Sequence, residues 1–144
     1  MTFEKKPCYV IDASVVLKWF SRYDEDNLEK AKKIRKDFKE RRIDIISPEL
    51  LIYEIANVLR YKESIEEKVV LDAINSIYEM RILSSVSQMI MEDAIKLARN
   101  FNITVYDSTY LGFANNLKYP LVTADKKLYE KIKGYPGIIY ISEY

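Results

Sequence analysis

Short apolar runs alternate with longer amphipathic segments along the whole chain. The first run, Cys8-Tyr9-Val10-Ile11, ends on Asp12 and has the length and β-rich composition of a buried strand. Residues 15–20 predict a short helix. Over residues 27–42, Leu28, Ala31, Ile34 and Phe38 recur on one stripe, the spacing of a helix packed on a sheet. Residues 43–47 predict a second strand. Ser47-Pro48-Glu49 then opens a helix reaching about residue 61, with Ser as N-cap, Pro at the first helical position and an acid in the first turn. Helices follow over 66–79 and 89–100, separated by a short strand from Ile82. Met89 and Met91 are expected to fill the core. Thr104-Val105-Tyr106-Asp107 has the capping form Thr-x-x-acid. A strand over 120–123, a helix over 126–133 and a strand over 138–141 complete the chain. Strands alternating with helices predict an α/β fold, a mostly parallel central sheet flanked by helices in three layers.

Composition narrows what this fold can do. A chain of 144 residues, 49% hydrophobic, forms one domain over 1–144 with a real core. No repeat, linker or glycine-rich phosphate loop interrupts it. One cysteine, Cys8, excludes an internal disulfide. There is no histidine, which removes Ser-His-Asp and Cys-His nucleophiles and His-rich zinc sites. The start of the chain lacks an apolar signal core and no run approaches membrane-spanning length, so a soluble cytoplasmic protein is expected. Twenty-three basic residues offset 22 acidic ones, so the chain as a whole does not attract polyanions.

The chemistry rests on carboxylates. Leu121-Val122-Thr123-Ala124-Asp125 repeats the first motif, an apolar strand ending in an acid. In parallel α/β sheets, ligands bind beyond the carboxyl ends of the strands. Asp12 alone also reads as an ordinary helix N-cap, and Asp107 as a capping acid in line with Tyr110, Leu111 and Ala114. Glu54 lies inside an apolar helix face, four residues after Leu50 and four before Val58, where an ionised carboxylate is costly unless paired or bound to metal. Asn57 shares that side, within reach of the Glu54 carboxylate. Four carboxylates at one sheet edge repel one another unless a cation neutralises them. All-oxygen ligation suits Mg²⁺ or Mn²⁺, which favour phosphate substrates.

Lys32, Lys33, Lys36 and Lys39 lie on the polar face of the 27–42 helix. They form either a solvated charged surface or a rail for RNA phosphates. Trp19 and Phe20 suit packing against the sheet or stacking on bases, with packing the commoner use.

The four acidic segments, in order and spanning nearly the whole chain, resemble the PIN domain, the nuclease fold of VapC-type toxins. The matching pieces are Val10-Ile11-Asp12-Ala13-Ser14, Glu54 with Asn57 and Val58, Tyr106-Asp107 with Tyr110 and Ala114, and Leu121 to Asp125. Ser108 stands where a small Ala is commoner. The resemblance implies a metal-dependent endoribonuclease acting on RNA, a small antitoxin partner and a homodimer. Asp12, Glu54, Asp107 and Asp125 then match the acidic quartet, catalytic and metal-binding, and Ser14 and Thr123 match the hydroxyls that orient it. Other folds with acids at strand ends fit less well. A phosphorylatable receiver wants paired acids after the first strand, and a haloacid-dehalogenase-type phosphatase wants an acid at Ser14. A non-catalytic PIN-like module that binds RNA or a partner remains the alternative.

Overall fold

The computed structural model describes residues 5–21 and 26–144; most of the polar break expected at 21–26 lies outside them. In chain order the elements are β1 (Cys8–Ile11), α1 (Ala13–Lys18), α2 (Leu28–Lys39), β2 (Asp44–Ile45), β3 (Ser47–Pro48), α3 (Leu50–Arg60), α4 (Glu67–Met80), β4 (Leu83–Ser84), α5 (Gln88–Phe101), α6 (Val105–Leu117), β5 (Leu121–Thr123), α7 (Lys126–Ile132) and β6 (Ile138–Tyr140), with a closing 3₁₀ turn at Ile141–Glu143. The central sheet runs β2-β1-β5-β6, and all its pairings are parallel. Helices cover it in the expected three-layer α/β arrangement. Val10, Ile11, Leu121 and Val122, on the two inner strands, are wholly buried. Burial on both faces explains why these strands read as continuous apolar runs rather than alternating ones.

The second strand departs from the expectation. Residues 43–47 do not form one strand followed by a capped helix. The chain pairs with β1 through Ile45, then turns away, and Ser47–Pro48 pairs with β4 instead. Ser47 therefore does not cap α3; Glu49 occupies that position, and α3 starts at Leu50. The Ser47 hydroxyl is wholly buried. It accepts from the Ile11 amide at 3.2 Å and donates to the Ile11 carbonyl at 2.7 Å. One side chain thus satisfies both backbone groups that lose their ladder partner where the strands part, as buried polar groups require.

Other helix signals hold in detail. The Ser87 hydroxyl caps α5 and the Thr104 hydroxyl caps α6. Helices α5 and α6 approach closely at Gly112, where a Cβ would sit 3.3 Å from the Ile90 carbonyl oxygen. Ser108 is buried at this contact and donates to the Ala94 carbonyl at 2.7 Å, so the departure from Ala is accommodated. Met89 and Met91, expected in the core, are exposed; Ile90, Ala94 and Ala98 form the buried face of α5. Trp19 and Phe20 pack against the core, with the Trp19 indole N–H donating to the Ala31 carbonyl at 2.8 Å. No helix among the described residues is long and apolar enough to cross a membrane.

Candidate active site

Strands β1 and β5 lie side by side with Ile11 opposite Val122, so the acids that follow them leave the same sheet edge. Asp12 caps α1 and is 5% exposed. The Ser14 amide donates to its Oδ1 at 3.1 Å, the Ser14 hydroxyl donates to the same oxygen, and the Thr123 hydroxyl donates to Oδ2 at 2.5 Å. Ser14 is itself held by the Ala124 amide, 2.8 Å from its Oγ. Burial nonetheless pushes the Asp12 carboxyl up to about 6. The Ser14 and Thr123 hydrogen bonds oppose that rise and the negative charge of Asp107 adds to it.

Asp125 repeats the local geometry in the open. Its Oδ1 accepts from the Leu128 amide at 3.1 Å and caps α7, and its own amide donates to Thr123 Oγ1 at 3.1 Å. The Thr123 hydroxyl therefore joins the two acids: it accepts from the backbone of one and donates to the side chain of the other.

Glu54 and Asp107 arrive from helices. Glu54 is half-buried at the border of the α3 core face, and the buried Tyr110 hydroxyl donates to its Oε1 at 2.5 Å. Burial raises the Glu54 carboxyl, the Tyr110 bond opposes this, and Asp107 reinforces it. Tyr110 is held far into its protonated form by burial and by the Glu54 charge, so it serves as a donor. Asp107 sits in the first turn of α6, its amide bonded to Thr104 Oγ1 at 3.1 Å. Its carboxyl is raised by burial and by Asp125, against the pull of the Thr104 bond and the Lys131 charge.

The four expected acids thus occupy one neighbourhood. The charge of Asp107 acts on Asp12 and Glu54, and that of Asp125 acts on Asp107. Among the described residues no three acidic side chains close into a metal-holding cage. Mg²⁺ does not require one, because it keeps several waters and takes one or two carboxylates. The donors are all oxygen, and three of the carboxyls are held above their ordinary range by burial and by one another. Such a set fits a hard divalent cation.

Three sequence expectations need correction or addition. Asn57 is exposed and makes no hydrogen bond to Glu54; Tyr110 supplies that bond. Tyr110 was legible as part of an apolar stripe and of a matching segment, but not as the hydrogen-bond donor to Glu54. The basic face of α2 is exposed, but its far end, at Lys39, lies with Lys6 and Asp44 at the start of β1 and β2, the edge opposite the acids. Lys33 and Lys36 face Asp37 and Glu40 on the same helix. The lysines beside the acids are instead Lys127 and Lys131 of α7, which line the same cleft as Asp107 and Asp125.

Comparison with known proteins bears on the fold. Residues 9–134 match the PIN domain family model. No curated protein matches the sequence. Among solved structures, a toxin–antitoxin complex from Klebsiella pneumoniae superposes with a TM-score of 0.67 at 15% identity, covering 94% of this chain and 99% of that one. A protein from Pyrobaculum aerophilum gives 0.67 at 20% identity, covering 95% and 91%. VapBC-1 from nontypeable Haemophilus influenzae gives 0.65 at 14%, covering 94% and 98%. At these identities the likeness concerns the fold.

Proposed function

This chain belongs to the PIN domain family, and from that premise we propose that it is a Mg²⁺- or Mn²⁺-dependent endoribonuclease of the cytoplasm, the toxin of a toxin–antitoxin pair. The observation that carries the proposal is the gathering of carboxylates at one sheet edge: Thr123 joins Asp12 to Asp125, Asp125 lines one cleft with Asp107, and Tyr110 of the Asp107 helix holds Glu54. Four acids gathered without a cationic partner for each are poorly explained as caps alone, although Asp12 and Asp125 are also caps.

In this proposal Asp12, Asp107 and Asp125 hold the cation directly and Glu54 completes the set. A bound Mg²⁺ or Mn²⁺ supplies activation of water at neutral pH and counter-charge for the phosphodiester. The chain's own residues do the positioning. Ser14 and Thr123 fix both oxygens of Asp12, and Tyr110 fixes one oxygen of Glu54. Preorganised carboxylates need no rearrangement when the substrate arrives.

Partners follow from the same premise. One structure that shares the fold is a toxin–antitoxin complex, which supports a small antitoxin as partner. A homodimer is the proposed state. Tyr53, Tyr61, Leu71 and Tyr78 on α3, α4 and the residue after α3 are exposed, and support a protein-binding role for that side.

The test is cleavage of a mixed panel of single-stranded and looped RNAs, first with EDTA and then with excess Mn²⁺. Cleavage is expected only after Mn²⁺ is restored. Full activity in EDTA overturns the metal-dependent mechanism. Tight RNA binding without cleavage under any divalent ion favours the non-catalytic module.

A further inference from the structure

The cleft beside Asp107 and Asp125 is not purely acidic. It encloses about 170 Å³, and its walls include Asn102, Thr104, Lys127 and Lys131 as well as the two acids. Lys127 and Lys131 stand four residues apart on α7, hence on one face, with about 6 Å of helix rise between them. Lys131 is anchored at its tip: its Nζ donates to the Asn102 carbonyl at 3.0 Å, and its charge reaches Asp107. Lys127 makes no hydrogen bond or ion pair among the described residues, although it lines a cleft with two carboxylates. Lys133 at the end of the same helix is tied to Glu130 instead.

A phosphodiester entering this cleft meets the negative charge of Asp107 and Asp125. Two ammonium groups on the wall cancel that charge and leave the way open to an anion. The ammonium of lysine is a compact phosphate ligand that needs no fixed orientation. The α2 lysines lack this setting: Lys33 and Lys36 face acids close by on their own helix, Lys39 lies at the opposite sheet edge, and Lys32 lines an exposed groove with Lys33 and Lys36.

Resting on the nuclease assignment, we propose that Lys127 and Lys131 form the phosphate-binding arm of the site, holding the backbone of single-stranded RNA beside the bond to be cut. The arm acts on the backbone, so it contributes affinity without base preference.

The experiment measures binding of a labelled mixed-sequence single-stranded oligoribonucleotide by fluorescence anisotropy across a KCl series. It uses an Asp12→Asn background so that the RNA is not consumed. Each phosphate contact on a single strand contributes roughly −0.7 to the slope of log affinity against log salt. Lys127→Gln with Lys131→Gln should flatten that slope by about 1.4, while Lys32→Gln with Lys36→Gln should leave it unchanged. Lys127→Gln alone keeps the Lys131–Asn102 bond and with it the fold, and should flatten the slope by about 0.7. An unchanged slope in both α7 variants, or a loss confined to the α2 variant, overturns the proposal. Cleavage by the unsubstituted chain is measured separately. Metal-dependent cleavage with an unchanged slope defeats this inference alone. A flattened slope with no cleavage supports the arm and defeats the nuclease assignment.

Discussion

Asp12 and Asp125 end neighbouring parallel strands, follow similar apolar runs and cap the helices that come next. Their surroundings differ sharply. Asp12 is 5% exposed and receives two side-chain hydroxyls, whereas Asp125 is exposed and caps with a single backbone bond. The same local grammar has produced one carboxylate held rigidly under the sheet edge and another presented at its rim. The comparison teaches that the same capping position can either bury a carboxylate or present it at a cleft. A cap needs only one carboxylate oxygen; at Asp125, which lines the cleft, only Oδ1 is engaged among the described residues, whereas both oxygens of Asp12 accept hydrogen bonds.

The largest test asks whether the two acids are functionally equal despite this contrast. Asp12→Asn and Asp125→Asn should each reduce Mn²⁺-dependent RNA cleavage by roughly 10²–10³-fold, the scale of losing one preorganised electrostatic contact. Single-turnover rates at saturating Mn²⁺ check this. Loss in only one variant would leave the other aspartate a cap and nothing more.

A smaller effect isolates the burial of Asp12. Its carboxyl lies at about 6 in the folded chain against 3.8 ordinarily. Between those values the folded chain keeps a proton that the unfolded chain has released. Stability therefore falls as pH rises from about 4 to about 6 and levels above that. Asp12→Asn removes this fall. In EDTA it should gain on the order of 3 kcal/mol relative to the unsubstituted protein between about pH 4 and pH 7. Urea unfolding of both proteins at the two pH values measures the gain, and parallel pH profiles would contradict it.

The smallest effect belongs to the cap of α7. Asp125→Ala should cost about 1 kcal/mol of metal-free stability, while Asp125→Asn should cost almost nothing, because Asn caps as well as Asp. Thermal melts in EDTA separate the two variants. A loss shared equally by both would tie stability to the charge rather than to the cap.

Much of this arrangement was legible in the sequence because its parts are local. An apolar run ending in an acid marks a strand and its edge, and Thr104-x-x-Asp107 marks a helix start; both depend on neighbours within a few residues. Glu54 was legible as a cost, a carboxylate on an apolar face. The missed features all depend on distant partners. Ser47-Pro48 carries a strong helix-start signal, but pairing with β4 overrode it. Tyr110 looked like core because its ring is core; only the arrival of α3 gives its hydroxyl a partner. Lys127 and Lys131 look like ordinary surface charge until α7 docks beside the turn before α6. The place of the α2 lysines was not legible for the converse reason, since a dense run of charge says nothing about which sheet edge it will flank.

The hydroxyl of Thr123 reaches Asp12 across 111 residues of chain, and the amide of Ala124 reaches Ser14 across 110. At a synthesis rate of about 5–20 residues per second, that separation amounts to roughly 5–20 s on the ribosome. Throughout that interval Asp12 exists, but half of what fixes it has not been made. A nascent or truncated chain that stops before residue 123 has the first acid without its setting. The setting of Asp12 is therefore complete only once Thr123 and Ala124 have joined the chain.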